Sequence, residues 1–211
     1  MTAILFDLDG TLLDTLEDLT DATNAALTHF GYPTRTIDEV RRFVGNGAKN
    51  QITMSLPGGQ SPEQIETVLA WYKTWYAAHS QIKTRPNDGI LEAQEAVRKE
   101  IPVAIVSNKP DTAVKILGAQ YFGGVYALGE SSACPRKPAP DMVHMAMAQL
   151  GADHCIYVGD SEVDVLTARN AGVPCLSVLW GFRDRQTLEE AGAEHFCETP
   201  AELLKSLKEM I

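Results

Sequence analysis

Two acidic residues, Asp7 and Asp9, follow a short apolar run near the amino terminus, and Gly10 and Thr11 come directly after them. The run is rich in residues that favour strands, and alternate residues of a strand face the same side, so both carboxylates are predicted to point the same way. Gly10 allows the chain to turn sharply just beyond the pair. Because two carboxylates held side by side repel each other, we expect the pair to bind a proton, a lysine or a metal ion.

Three more groups of polar side chains follow predicted strands later in the chain. They are Ser107-Asn108-Lys109, Lys137 within the polar loop 135–140, and the segment 159–164 with Asp160 and Asp164. With Asp7 they predict a phosphate site built around Mg²⁺, for which Asp7 and Asp160 offer carboxylate oxygens. Lys137, the Ser107 hydroxyl and backbone N–H groups near Asn108 can hold phosphate oxygens. A carboxylate there can attack phosphorus to form an aspartyl-phosphate, and a neighbouring carboxyl can act as general acid and then general base.

Each of these residues also has an ordinary structural explanation. A D-x-D pair occurs in solvated loops and helix caps, and Ser107 alone can be a turn hydroxyl. Lys137 alone can be a surface charge. Asp160 and Asp164 can be the N-cap and a first-turn acid of a helix. The phosphate site is favoured because all four groups fall at the carboxyl ends of predicted strands and support one chemistry.

From residue 86 onward, short apolar runs alternate with amphipathic stretches, which predicts a parallel sheet with helices on both faces. The predicted strands are 3–7, 103–107, 125–128, 155–158, 175–179 and a short one at 195–197. The predicted helices are 89–100, 111–119, 140–150, 162–171 and 185–191. For the last helix, Thr199 is predicted as the N-cap, Pro200 as the first residue and Glu202 as the acid of a capping box.

The stretch 15–85 shows helical spacing of its apolar residues and no convincing strand. Capping boxes that begin at Thr36 and Ser61 predict two of its helix starts. Because this insert interrupts the alternating pattern directly after the first acids, it is expected to lie over the carboxyl ends of the strands, where open α/β sheets bind ligands. The predicted domains are a core of residues 1–14 and 86–211 and a helical cap of residues 15–85.

Composition and charge narrow the class of protein. The 211 residues carry a formal net charge of −10, which argues against a nucleic-acid partner and against an anionic membrane surface. No apolar run approaches the roughly 18 residues that a membrane span needs, and no secretory signal is visible, so a cytoplasmic protein is expected. The four cysteines form no C-x-x-C pair and are interpreted as buried and reduced, and the scattered histidines as structural. Both a monomer and a homodimer remain open.

Four segments, taken in order, resemble the motifs of the haloacid dehalogenase superfamily. They are Asp7-Leu8-Asp9-Gly10-Thr11-Leu12-Leu13-Asp14-Thr15, Ser107-Asn108-Lys109, Lys137-Pro138-x-Pro140 and Gly159-Asp160-Ser161-x-x-Asp164. The helical insert, the segment 168–172 and Trp180-Gly181 are similar to the phosphoglycolate phosphatase-like branch. The resemblance implies a Rossmann-like core with a mobile helical cap. It also implies a Mg²⁺-dependent phosphatase of small phosphorylated metabolites, with 2-phosphoglycolate as the expected substrate.

The resemblance further implies a role for each matching acid. Asp7 would be the nucleophile, and Asp9 would be the general acid and base. Mg²⁺ would be held by the side chains of Asp7 and Asp160 and by the backbone carbonyl of Asp9. Because the dehalogenases themselves lack an acid at the position of Asp9, the chemistry that the resemblance implies is phosphoryl transfer.

The resemblance also assigns the phosphate-binding side chains. Ser107, Asn108 and Lys137 would bind the phosphoryl group, and Asp164 would support the other acids from behind without binding the metal. The chain departs from the branch at 85–89, where Arg-Pro-Asn-Asp-Gly stands in place of the usual aromatic-Pro-Gly segment. Substrate contacts of that segment are therefore not carried over to this chain.

Two features leave the substrate open. The segment 45–47 with Lys49 can be a substrate loop, in which two glycines free backbone amides, or a plain helix break with a surface lysine. A β-phosphoglucomutase-like phosphosugar mutase shares the core motifs and a helical cap, and a phosphonate-cleaving relative would need Lys49 or Lys73 to form a Schiff base. A non-catalytic phosphometabolite-binding protein is the alternative from another class, although all four motif residues needed for catalysis are present.

Overall fold

The computed structural model describes residues 1–132 and 134–211, which divide into two compact units, Met1–Leu13 with Pro86–Ile211 and Asp14–Arg85. The strands are β1 (Thr2–Phe6), β2 (Leu13–Asp14), β3 (Arg85–Pro86), β4 (Val103–Pro110), β5 (Tyr126–Glu130), β6 (His154–Gly159), β7 (Cys175–Val178) and β8 (His195–Cys197). The helices are α1 (Leu16–His29), α2 (Ile37–Phe43), α3 (Gly47–Ser55), α4 (Pro62–His79), α5 (Ile90–Glu100), α6 (Asp111–Phe122), α7 (Asp141–Leu150), α8 (Glu162–Ala171), α9 (Arg185–Ala191) and α10 (Leu203–Met210). Within the described part of the chain, none of these helices has the length and apolar character of a membrane span.

Six strands of the first unit form one sheet in the order β5-β4-β1-β6-β7-β8, and the neighbouring strands run parallel. β1 lies inside the sheet, where Leu5 pairs with Ala104 of β4 on one side and with Tyr157 of β6 on the other. The helices that follow the strands provide the crossovers that parallel pairing requires. The predicted α/β class with a parallel sheet is confirmed.

The central strand contributes to two separate hydrophobic clusters. Ile4 and Phe6 pack in a cluster with apolar residues of α5, α6 and α10. Ala3 and Leu5 pack in another cluster with residues of α7 and α8. Since alternate residues of a strand point to opposite faces, helices cover both faces of the sheet, which explains why its strands appear in the sequence as apolar runs.

The end of β4 and the start of the last helix are among the predicted boundaries that are wrong. β4 extends to Pro110, because after an irregularity in register it pairs again with β5 at Pro110 and Glu130. The capping box predicted at Thr199 does not form. Pro200–Glu202 is instead a 3₁₀ turn in which the Glu202 N–H already donates to the Thr199 carbonyl at 3.0 Å, and the Thr199 side chain makes no cap hydrogen bond.

The second unit contains α1 to α4 and is all-helical apart from its ends. Both predicted capping boxes form, at Thr36 and at Ser61. The buried carboxylate of Asp18 in α1 accepts hydrogen bonds from the backbone N–H groups of Lys83 at 3.0 Å and Thr84 at 2.8 Å. The short strands β2 and β3 form a separate two-stranded sheet where the chain passes from one unit to the other.

Candidate active site

Three neighbouring strands, β4, β1 and β6, bring the predicted site residues together. Asp7 follows β1, Asp160 follows β6, and Ser107 and Asn108 lie in the irregular end of β4. Parallel neighbours end at the same edge of a sheet, and ligands bind outside those carboxyl ends. The order of the strands in the sheet, which differs from their order in the sequence, is what places these side chains next to one another.

Three buried aspartates form the acidic centre. One carboxylate oxygen from each of Asp7, Asp160 and Asp164 lies within 4.8 Å of the other two. Burial and the charge of Asp164 raise the pKa of Asp7 to about 7. Burial and the charges of Asp164 and Asp7 hold the pKa of Asp160 well above its usual range. The acidic centre therefore resists full ionisation unless a cation joins it.

Lys137 supplies one positive charge to the acidic centre. Its Nζ lies 2.7 Å from Asp164 Oδ1 and 2.9 Å from Asp7 Oδ1, and its side chain is 2% exposed. Burial acts to lower the pKa of Lys137, but the charges of Asp164 and Asp7 outweigh it and hold that pKa well above its usual value. The ammonium is therefore charged in the buried site.

The acidic centre fits a divalent cation that prefers oxygen ligands. With its three carboxylates ionised and Lys137 protonated, the site holds three negative charges and one positive charge, an excess of two negative charges. Asp7 Oδ1 is buried and pairs with Lys137 Nζ at 2.9 Å, and a carboxylate has more lone pairs than this one contact occupies. Carboxylate oxygens of this kind suit Mg²⁺.

Asp160 is held in one orientation from several sides. The Thr11 hydroxyl donates to its Oδ1 at 3.0 Å, and the backbone N–H of Phe182 donates to its Oδ2 at 2.7 Å. Two glycines leave room for the carboxylate. A Cβ on Gly10 would lie 2.3 Å from Asp160 Oδ2, and a Cβ on Gly181 would lie 2.2 Å from Asp160 Cβ. Larger residues at either position would displace this carboxylate.

Asp164 has both carboxylate oxygens engaged by the protein. Its Oδ1 accepts from Lys137 Nζ, and its Oδ2 accepts from the Ser161 hydroxyl at 2.6 Å and the Ser161 N–H at 3.1 Å. Asp164 is fully buried. These contacts fix the Asp164 carboxylate, which in turn holds the Lys137 ammonium in position.

Asp9 is separate from the acidic centre. β1 ends at Phe6, so strand alternation does not by itself align Asp7 with Asp9, and a common direction of the two carboxylates stays a prediction. Each acid instead has its own cation: Lys137 for Asp7, and Lys109, whose Nζ lies 2.8 Å from Asp9 Oδ1. The Asp9 side chain is the more exposed of the two, at 14% against 8%.

Ser107 and Asn108 lie beside the acidic centre and are both buried. The Ser107 hydroxyl accepts from the Lys109 N–H at 3.3 Å. The Asn108 side chain bonds twice to the backbone of Lys137: its Oδ1 accepts from the Lys137 N–H at 2.8 Å, and its Nδ2 donates to the Lys137 carbonyl at 3.0 Å. The Asn108 side chain therefore fixes the backbone of Lys137.

Sequence reasoning gave no role to four groups that the structure brings into the site. Thr11 and Lys109 stand inside the matching motifs, so the motifs themselves were a signal for them. Tyr157 is a polar residue in an otherwise apolar buried strand, and a buried hydroxyl needs a partner. The Phe182 N–H has no signal in the sequence, because any residue with a backbone N–H could donate this bond.

The other candidate residues have structural explanations. Lys49 pairs with Glu66 within the helical unit, and its side chain is 60% exposed. The four cysteines are free thiols. Burial raises the pKa of Cys155 to about 11 and that of Cys175 to about 12, so these two thiols stay protonated at neutral pH.

Comparison with known proteins identifies a family for this chain. The model of the haloacid dehalogenase-like hydrolase family matches residues 4–178. Phosphoglycolate phosphatase of Rhodobacter capsulatus is 35% identical over 190 residues, which cover 86% of this chain and 85% of that protein. Phosphoglycolate phosphatase 1 of Pseudomonas aeruginosa is 30% identical over 220 residues, which cover 99% and 78%. A crystal structure from Lactobacillus delbrueckii subsp. bulgaricus, named as a candidate phosphoglycolate phosphatase, matches with a TM-score of 0.91 at 36% identity and 97% coverage of each chain.

Proposed function

Because this chain belongs to the haloacid dehalogenase-like hydrolase family, we propose that it is a Mg²⁺-dependent phosphatase that hydrolyses 2-phosphoglycolate to glycolate and phosphate. The observation that carries the proposal is the acidic centre at the carboxyl ends of the strands, where three buried carboxylates face one buried ammonium. The names of the relatives supply the choice of substrate.

Asp7 is the proposed nucleophile. Its carboxylate attacks phosphorus, the bond from phosphorus to the glycolate oxygen breaks, and an aspartyl-phosphate forms on Asp7. Asp9 lies two residues on and outside the acidic centre, and it donates a proton to the departing glycolate oxygen. Asp9 then accepts a proton from the water that attacks the aspartyl-phosphate, and phosphate leaves with Asp7 regenerated. This division of roles is supported by the different cations that hold the two acids.

The phosphoryl group is proposed to bind Lys137, the Ser107 hydroxyl and the backbone N–H of Asn108. Lys137 contributes a buried positive charge, which is stronger in a low-dielectric site than in water. Ser107 and Asn108 lie at the end of β4, next to the strand that carries Asp7. These groups orient the phosphorus toward the nucleophile.

Mg²⁺ is proposed to bind the carboxylates of Asp7 and Asp160 and the backbone carbonyl of Asp9. Asp164 supports these residues without binding the ion. When bound, the ion supplies positive charge that reduces the repulsion between the anionic carboxylate and the anionic phosphoryl group. Residues 1–14 and 86–211 are proposed as the catalytic core, and residues 15–85 as a helical cap that selects the substrate.

The proposal is tested by phosphate release from 2-phosphoglycolate, β-glucose 1-phosphate, pyrophosphate and p-nitrophenyl phosphate, each with Mg²⁺ and with EDTA. We expect release to require Mg²⁺ and kcat/KM to be at least about tenfold higher for 2-phosphoglycolate than for the other compounds. Conversion of β-glucose 1-phosphate to glucose 6-phosphate faster than phosphate release would identify a mutase instead. No release from any compound by the folded protein in Mg²⁺ would contradict the phosphatase assignment.

A further inference from the structure

Tyr157 lies in the middle of β6 and is completely buried, yet its hydroxyl has two specific partners. It donates to the backbone carbonyl of Val106 at 3.0 Å and accepts from Lys137 Nζ at 3.0 Å. Val106 belongs to β4, which is not a neighbour of β6, because β1 lies between them. The tyrosine side chain therefore spans the central strand, passing over the face that Leu5 shares with Ala104 and Tyr157 itself.

The hydrogen-bond donors of Lys137 show what this contact achieves. A lysine ammonium has three N–H donors on a flexible stem of four carbons, so its position is set only by its acceptors. Asp164 Oδ1 takes one donor and the Tyr157 hydroxyl takes a second. On its third side Nζ pairs with Asp7 Oδ1 at 2.9 Å, which holds the ammonium next to the proposed nucleophile.

The Tyr157 hydroxyl is an uncharged acceptor, and this matters for an anionic ligand. Nζ already pairs with two carboxylates, Asp164 and Asp7, so a third carboxylate in place of the tyrosine would add further negative charge where an anionic phosphoryl group is proposed to bind. The tyrosine fixes Nζ without adding negative charge.

The Val106 carbonyl ties this contact to the rest of the phosphate site. Val106 directly precedes Ser107 and Asn108, the other two proposed phosphate-binding residues. Asn108 already holds the backbone of Lys137, and Tyr157 holds its ammonium, so Lys137 is fixed at both ends relative to β4. The distance between the ammonium and the Ser107 hydroxyl is set in this way.

We propose that Tyr157 is a positioning residue that aims the Lys137 ammonium at the phosphoryl group of the substrate. The inference rests on the proposed function, since it assigns Lys137 to phosphate binding. The residue acts through Lys137 and does not touch the phosphoryl group.

The first test is Tyr157→Phe, which keeps the ring and removes the hydroxyl. Affinity for inorganic phosphate in Mg²⁺, measured by titration calorimetry, should fall about tenfold, and KM for the phosphate ester should rise with it. The matched control is Tyr126→Phe, a tyrosine of β5 at the edge of the same hydrophobic cluster, which should keep the affinity for phosphate. Unchanged phosphate affinity in a folded Tyr157→Phe protein would overturn the proposal.

A second variant tests whether Tyr157 acts by positioning the Lys137 ammonium or only through its hydrogen bond to the backbone of β4. 4-Aminophenylalanine incorporated at position 157 can still donate to the Val106 carbonyl, but its conjugated nitrogen is a poor acceptor for the ammonium. We expect this protein to fold and yet to bind phosphate about as weakly as Tyr157→Phe. Recovery of wild-type phosphate affinity would show that only the bond to Val106 matters and would overturn the proposal.

Failure of the proposed function is distinguishable from failure of this inference. A wild-type protein that releases no phosphate from any ester contradicts the phosphatase assignment. The calorimetric affinity for phosphate still decides the role of Tyr157 in that case, because it requires no turnover.

Discussion

Lys109 Nζ lies 2.8 Å from Asp9 Oδ1, and the lysine side chain is only 2% exposed. A buried lysine paired with the proposed general acid and base fixes where that carboxylate points. Replacing it with a neutral side chain should leave Asp9 misplaced for proton transfer, so Lys109→Met should lower kcat for 2-phosphoglycolate by about tenfold or more.

The matched control for this prediction is Lys115→Met. Lys115 pairs with Asp111 in the same unit, but its side chain is 59% exposed. Exposed pairs contribute little, so we expect this variant to behave like wild type in steady-state kinetics. Equal kcat values for Lys109→Met and wild type would show that the buried pair has no part in proton transfer.

Gly181 determines how closely the chain packs on Asp160. Because a Cβ at this position would lie 2.2 Å from Asp160 Cβ, Gly181→Ala must displace the proposed metal ligand. We expect the Mg²⁺ concentration for half-maximal activity to rise by about tenfold or more, as for other changes that disturb the orientation of a metal ligand. A Mg²⁺ titration of phosphate release measures this concentration.

Gly58→Ala is the control for the alanine substitution itself. Gly58 has no heavy atom of another residue within 4 Å of an added Cβ. Its Mg²⁺ dependence should match that of wild type. If Gly181→Ala also matches wild type while remaining folded, Asp160 is not a ligand of the activating ion.

Burial of Asp7 should make the metal-free protein less stable as pH rises. The pKa of Asp7 is raised from 3.8 to about 7 in the folded chain, chiefly by burial. Between these values the unfolded chain has lost this proton and the folded chain still holds it. The Asp7 contribution to the free energy of unfolding in EDTA therefore falls as pH rises through this window.

Denaturant unfolding in EDTA, compared between wild type and Asp7→Asn, isolates this contribution. The variant cannot titrate at position 7, so its stability should decline less as pH rises. Saturating Mg²⁺ should stabilise wild type more at higher pH, because the ion binds ionised carboxylates. Parallel pH profiles for the two proteins in EDTA would mean that Asp7 titrates normally.

Lys49 distinguishes the two interpretations of the segment 45–47. Because its exposed ammonium pairs with Glu66, the structure favours a surface lysine over a substrate contact. Lys49→Met should therefore change KM for 2-phosphoglycolate by less than about twofold. An increase in KM of about tenfold with unchanged kcat would restore the substrate-loop interpretation.

Much of the fold could be predicted because the local signals and the tertiary structure agree. The helices 162–171 and 185–191 and the strand 195–197 have the predicted bounds. The capping boxes at Thr36 and Ser61 form because both the side chain and the N3 residue are free to bond to the backbone. At Thr199 the same pattern fails, since the Glu202 N–H is used by a tighter 3₁₀ turn.

The residues of the candidate site could be predicted from the sequence, but the pairing of its acids with particular lysines could not. The motifs pointed to Asp7, Asp160 and Lys137, which the structure brings together. The pairing of Asp9 with Lys109 joins residues about a hundred positions apart, and it depends on the placement of β4 beside β1. Strand order in a parallel sheet is a tertiary property, so no local pattern in the sequence encodes it.

Asp7 is the proposed nucleophile of a Mg²⁺-dependent phosphatase, and this role can be tested by measuring phosphate release by Asp7→Asn. The substitution keeps the shape of the side chain and removes the attacking carboxylate. With saturating 2-phosphoglycolate and Mg²⁺, we predict that wild type releases phosphate and that the folded variant does so at about one thousandth of that rate or less. Release by Asp7→Asn within about tenfold of the wild-type rate would contradict the account.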